Sequence, residues 1–123
     1  TQNVKRNWTS CKFNKSLLKK GWMPPHPTLF LKKEVYEKHG FFDLSYSISA
    51  DYDFILRIFN DSELKFKYLP KVITKMRFGG VSNRSLKNII KKSKEDYRAI
   101  ISNNIGNFLT LIRKNFSKIK QLF

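Results

Sequence analysis

Two carboxylates, Asp51 and Asp53, stand at the head of a segment whose apolar residues recur at helical spacing. A carboxylate at a helix N-terminus is favoured in its charged form by the helix dipole. Asp51 therefore has the character of a proton acceptor, although the same place also suits a plain N-cap. Asp53 precedes Arg57 by four residues, the spacing of an intrahelical ion pair worth about 0.2–0.5 kcal/mol, which leaves Asp51 the freer of the two. His26 lies between Pro25 and Pro27. Prolines restrict the backbone on both sides of an imidazole there, which then either lines a ligand pocket or bonds the loop backbone. Trp22 offers a flat face for stacking on a ligand ring, or an indole for ordinary packing. Arg77 precedes Gly79-Gly80. A guanidinium suits phosphate oxygens and glycine lets a backbone come close to a ligand, yet an exposed strand residue reads the same way. Cys11 has no neighbouring acid or base, and is expected as a small buried residue.

The elements that must carry these residues follow from periodicity and chain-breaking residues. Residues 4–8 suit a short strand. Residues 22–28, with three prolines in four positions, form a rigid loop, and 29–31 a brief buried strand. Residues 32–39 suit a helix stopped by Gly40, with Val35 and Tyr36 inward. Residues 51–60 form the clearest helix of the middle: Tyr52, Ile55, Leu56 and Phe59 fall on one stripe. Residues 65–69 alternate polar and apolar, as do 72–78, the pattern of half-buried strands. Helices are expected over 84–102, capped by Ser82 or Asn83, and over 105–121, with a break at Asn103-Asn104. The fold class implied is α+β: short strands followed by two terminal helices.

The 123 residues allow one domain, and 11 Phe, 5 Tyr and 2 Trp supply a core. One Cys and two His exclude an internal disulfide and a structural zinc set. No apolar run is long enough to span a membrane. The start has neither Met nor the apolar stretch of a signal peptide, so the chain is expected to begin inside a longer one. The net charge is +16, and residues 84–123 hold 10 basic and 2 acidic side chains, the densest excess. Such a field attracts polyanions. Ile105, Phe108, Leu109, Ile112, Phe116, Ile119 and Phe123 share one face of the last helix, with Arg113, Lys114, Lys118 and Lys120 on its flanks and back. That helix suits either an anionic membrane interface or packing on protein, a second copy included. A nucleic-acid-binding module would use the same charge, but no helix-turn-helix, zinc-finger or RNA-binding signature accompanies it.

Between Trp22 and Asn83 the chain resembles family 2 glycosyltransferases of the bacterial surface-polysaccharide type. The pieces that carry the resemblance stand in one order: Met23-Pro24-Pro25-His26-Pro27-Thr28-Leu29-Phe30, Val35-Tyr36 with Gly40-Phe41-Phe42-Asp43, Ala50-Asp51-Tyr52-Asp53 with Leu56-Arg57, Tyr68-Leu69-Pro70, and Met76-Arg77 with Gly79-Gly80-Val81-Ser82-Asn83. The resemblance implies the C-terminal, acceptor-side portion of a GT-A (Rossmann-like) fold over residues 1–83, followed by a basic helical tail over 84–123. It implies inverting transfer from a nucleotide-sugar donor to a sugar or lipid-linked acceptor, in the cytoplasm or at the inner membrane face.

Asp51 matches the family's catalytic base, with His26, Trp22, Asp53, Arg77, Gly79 and Gly80 around the substrates. Family relatives often carry Glu just before this Asp, where this chain has Ala50, and many carry a His at the place of Gly79. A divalent metal, Mg or Mn, is expected in the full-length enzyme. It would be held mainly by a donor-binding half that this chain lacks, with no metal ligand expected here and no activity from the piece alone.

Overall fold

The computed structural model describes residues 6–76 and 85–120. Five α-helices occur among them: α1 (Ser16–Lys19), α2 (Lys33–His39), α3 (Ala50–Phe59), α4 (Leu86–Ser102) and α5 (Phe108–Lys120), with a 3-10 turn at His26–Thr28. No strand is present among the described residues. The expected α+β class, with short strands of a GT-A (Rossmann-like) portion, is thereby overturned. A strand exists only if a neighbour completes its hydrogen-bond ladder. Residues 65–76 run extended without one: Phe66 packs on the core, but Leu69, Val72, Ile73 and Met76 are exposed. Alternation there does not correspond to burial: of its apolar residues only Phe66 is partly buried. Residues 6–8 and 29–31 likewise form no strand.

The core is built around α3. Tyr52, Ile55, Leu56 and Phe59 are buried as their spacing predicts, and Phe54 and Ile58 join them on the other sides. A helix apolar nearly all round must be enclosed, and several layers enclose this one. Leu18 of α1, Ala99 and Ile100 of α4, Ile105 and Leu111 complete the cluster. Phe13, Trp22, Phe59 and Phe66 form an aromatic knot at the far end of α3, with ring centroids 3.9–5.6 Å apart. Burying each such side chain is worth about 1.5–3 kcal/mol. The residues beyond 84 thus share one core with the preceding part.

Helix ends follow local chemistry. Gly40 closes α2 at φ 74°, a backbone position only glycine adopts easily. Ser85 caps α4 by accepting a hydrogen bond from the Asn88 amide; Ser82 and Asn83, the expected caps, lie outside the described residues. Asn104 takes φ 53° at the expected break. Cys11 is exposed, against the expectation of burial.

On α5 the face turned inward is not the apolar row. Thr110, Leu111 and Lys114 are buried, while Phe108, Leu109, Phe116 and Ile119 are exposed. The helix sits against Gly21, whose φ is 76°: a Cβ there would stand 2.5 Å from Lys114 Cβ and 2.7 Å from its backbone. Gly21→Ala therefore carries a left-handed backbone cost of about 1–2 kcal/mol and must also push α5 outward. The expected total loss is about 2–4 kcal/mol, read from urea unfolding. A loss below about 0.5 kcal/mol, the size of an ordinary surface change, would contradict the close approach.

Candidate functional site

The Asp-Tyr-Asp run opens α3, and its three side chains have separate surroundings. Asp51 is partly exposed in the first turn, where its Oδ1 accepts from the Tyr52 amide at 2.8 Å. The helix N-terminus supplies positive potential there, and the Lys92 ammonium of α4 interacts electrostatically with Asp51. Tyr52 is buried, with the Lys114 ammonium 4.4 Å above its ring. Burial, and then the Asp96 charge, push its phenol well above the ordinary value.

Asp53 is buried and engaged. It accepts from Arg57 Nε at 3.2 Å and from Asn103 Nδ2 at 2.9 Å. The expected pair with Arg57 is thus present, and the same guanidinium donates to the carbonyls of His39 (2.5 Å) and Phe41 (2.6 Å). It ties the end of α2 to α3. Asp53 and Arg57 also line an open depression of about 340 Å³ with Asp43, Arg98 and Tyr46. Arg98 lies 3.9 Å over the Tyr46 ring and donates to the Ser45 hydroxyl.

What holds the approach to α3 comes from far along the chain. The Glu95 carboxylate of α4 accepts the amides of Ser47 (2.8 Å), Ile48 (2.7 Å) and Ser49 (2.8 Å), the residues just before the helix. Burial would raise the Glu95 carboxyl, but the three amides together hold it below the ordinary value. The next residue, Asp96, is 1% exposed, and its Oδ2 meets both Lys92 and Lys114 at 2.9 Å. Burial again works upward, and the two ammoniums overcome it, so this carboxyl too lies low.

His26 and Trp22 have different relations to Asp51. His26 lies in the 3-10 turn, which Thr28 closes by donating from its amide (2.9 Å) and hydroxyl (2.6 Å) to the Pro25 carbonyl. The imidazole meets the Phe42 ring edge-on at 5.6 Å, and Phe42 lies 5.0 Å from Phe54, the i+3 neighbour of Asp51. His26 is thus joined through two rings to the end of α3 that bears Asp51. Trp22 packs on Phe13 and Phe59, and Phe59 is eight residues from Asp51, about 12 Å along the helix. The indole belongs to the aromatic knot. Arg77, Gly79 and Gly80 lie outside the described residues.

Among the described residues no three His, Cys, Asp or Glu side chains gather as a metal site. Asp53 is already taken by Arg57 and Asn103, so the Asp-Tyr-Asp run does not chelate an ion as a pair. Among the described residues no helix is long and apolar enough to cross a membrane. Comparison with protein-family models, curated proteins and solved structures finds no match.

Glu95 escaped sequence reasoning because it lies more than forty residues from the amides it binds. The signal that was open to view is compositional: Glu95-Asp96 is the only acidic pair in the basic stretch 84–123. Replacing Glu95 by Ala leaves three amide donors without their acceptor, at about 1–3 kcal/mol for each that water cannot reach. A total loss of about 3 kcal/mol is expected. Acid acts in the same direction. The folded-state carboxyls of Glu95 and Asp96 are depressed, so their stabilisation is complete above the ordinary values of 4.5 and 3.8 and fades as pH falls through the lower folded ones. Glu95→Gln should flatten that acid limb in a pH series of unfolding curves. An unchanged limb would remove Glu95 from the account.

Proposed function

We propose that this chain supplies the acceptor side of a sugar-transfer enzyme, with Asp51 as the general base. The observation that carries the reading is the division of labour in the Asp-Tyr-Asp run. Asp53 is buried and bonded, whereas Asp51 is partly exposed at the positive end of α3. In the step itself, Asp51 removes the proton from an acceptor hydroxyl as that oxygen attacks the anomeric carbon. The bond from that carbon to the nucleotide diphosphate breaks, the diphosphate leaves with the electron pair, and the configuration inverts. The resemblance in sequence and the partly exposed carboxylate at the start of α3 support this reading. The outward row on α5, Phe108, Leu109, Phe116 and Ile119, supports a lipid-linked acceptor at an anionic membrane surface. Lys114 takes no part in such contact, because it is buried on Asp96.

The test is Asp51→Asn in the full-length chain, followed by release of nucleoside diphosphate from a panel of nucleotide sugars with acceptor. General-base help is worth about 100- to 10,000-fold, so the rate should fall by that order while donor affinity and circular dichroism stay near wild type. Retention of most of the wild-type rate would rule Asp51 out.

A further inference from the structure

A second cavity, of about 250 Å³, lies between the N-terminal segment, the turn at 20–23 and α5. Its charged lining is of one sign: Arg6, Lys20, Lys114 and Lys118, with the indoles of Trp8 and Trp22 and the hydroxyl of Ser117 beside them. Among the described residues no Asp or Glu is part of that lining. Behind it, three ammonium groups, Lys92, Lys114 and Lys118, surround one buried carboxylate, Asp96, whose Oδ2 already serves two of them at 2.9 Å. Among the described residues no carboxylate is bonded to Lys118. A protein that gathers three ammonium groups around one carboxylate beside a partly enclosed cavity has electrostatic work left for a ligand to do.

We propose that this cavity is an anion site, taking the phosphate group of a phosphomonoester or diphosphate, with Lys118 and Lys20 as its direct cationic ligands. A doubly charged phosphate supplies the missing negative charge in one compact group with several acceptor oxygens. The cavity volume admits a phosphate or pyrophosphate, and two tryptophans stand in its wall as reporters. Asp51 does not line this cavity, and the proposal stands or falls independently of the sugar-transfer reading. The protonation of the cluster agrees. Burial first, then the Lys114 and Lys92 charges, push the Lys118 ammonium down to about 7, and burial brings Lys114 down to about 8. Lys92 and Asp96 of α4 and the Asp51 carboxylate and Tyr52 ring of α3 face the same cluster, and Asp96 is the one carboxylate bonded to it. An arriving phosphate favours the charged lysines, so binding takes up protons near pH 8 and weakens as pH rises from 7 to 9.

The experiment titrates the whole chain with inorganic pyrophosphate and with phosphate, following tryptophan fluorescence and thermal unfolding. It is repeated with Lys118→Gln, with Lys20→Gln and with Lys87→Gln, an exposed α4 lysine outside the cavity. Lys118→Gln removes a charge that burial disfavours, and should fold at least as stably as wild type. Expected are saturable binding, a loss of at least tenfold in Lys118→Gln, a smaller loss in Lys20→Gln and none beyond twofold in Lys87→Gln. Calorimetry in two buffers of different ionisation enthalpy should report proton uptake at pH 8. Phosphatidylcholine vesicles with and without phosphatidic acid identify the source. Pyrophosphate binding without vesicle binding assigns a soluble phosphate. Lys118-dependent vesicle binding that pyrophosphate displaces assigns a lipid headgroup, and both results support the site. Equal weakening by Lys87→Gln and Lys118→Gln, as in diffuse attraction of any polyanion, overturns it, and so does absence of saturable binding.

Discussion

One turn of α4 carries two buried carboxylates side by side, and much of the molecule is arranged to meet them, although Asp96 Oδ1 is buried without a hydrogen-bond partner. Glu95 is 8% exposed and Asp96 1%. A charge taken out of water must recover its hydration from fixed partners. Glu95 recovers it from three consecutive amides of the segment leading into α3. Asp96, rotated 100° around the same helix, recovers it from Lys92 and Lys114. The first set of bonds places the N-terminus of α3, and with it Asp51. The second draws α5 in. Both registers are therefore set from one point, by groups that tolerate little displacement, since charge-assisted hydrogen bonds weaken steeply with distance and angle.

Arg57 plays the matching part on the other side of α3. Its guanidinium accepts nothing and must be surrounded by acceptors. Here these are the Asp53 carboxylate and the carbonyls of His39 and Phe41, groups left open where α2 ends. The same carboxylate takes Asn103, the residue after α4. Asp53 thus links three elements, and its burial is a consequence of that duty. Asp51, two residues earlier, lies on another side of the helix and is partly exposed. The contrast between two identical side chains on one helical turn arises wholly from what faces them.

The parts of this architecture that were legible in the sequence are those governed by local periodicity. The α3 stripe, the glycine stop after α2, the break at Asn103-Asn104 and the ion pair Asp53–Arg57 depend on residues within four positions of each other. The strands expected at 65–69 and 72–78 do not form among the described residues, because a ladder needs a second chain segment that alternation within one segment does not supply. For Asp51, position at the helix start could be read from the chain, while its electrostatic neighbour Lys92 is distant in sequence. The inward face of α5 was missed for an energetic reason. By apolar count the row with Phe108, Phe116 and Ile119 should face the core. The observed inward side carries Lys114, because the buried Asp96 has more to lose without a second cation than those rings lose in water.

That choice of face has a further consequence for the surface. Turning Lys114 inward leaves Phe108, Leu109, Phe116 and Ile119 outward on one helix, beside Tyr97 and Ile101 of α4, with the Tyr97 and Phe108 rings 6.0 Å apart. A chain with +16 net charge repels copies of itself, which offsets the tendency of such a row to drive self-association. On the proposed reading, the same charge would favour an anionic surface and add to apolar contact made there. The inward lysine and the outward phenylalanines are therefore one arrangement: satisfying a single carboxylate in the interior determines which groups the helix offers to its surroundings.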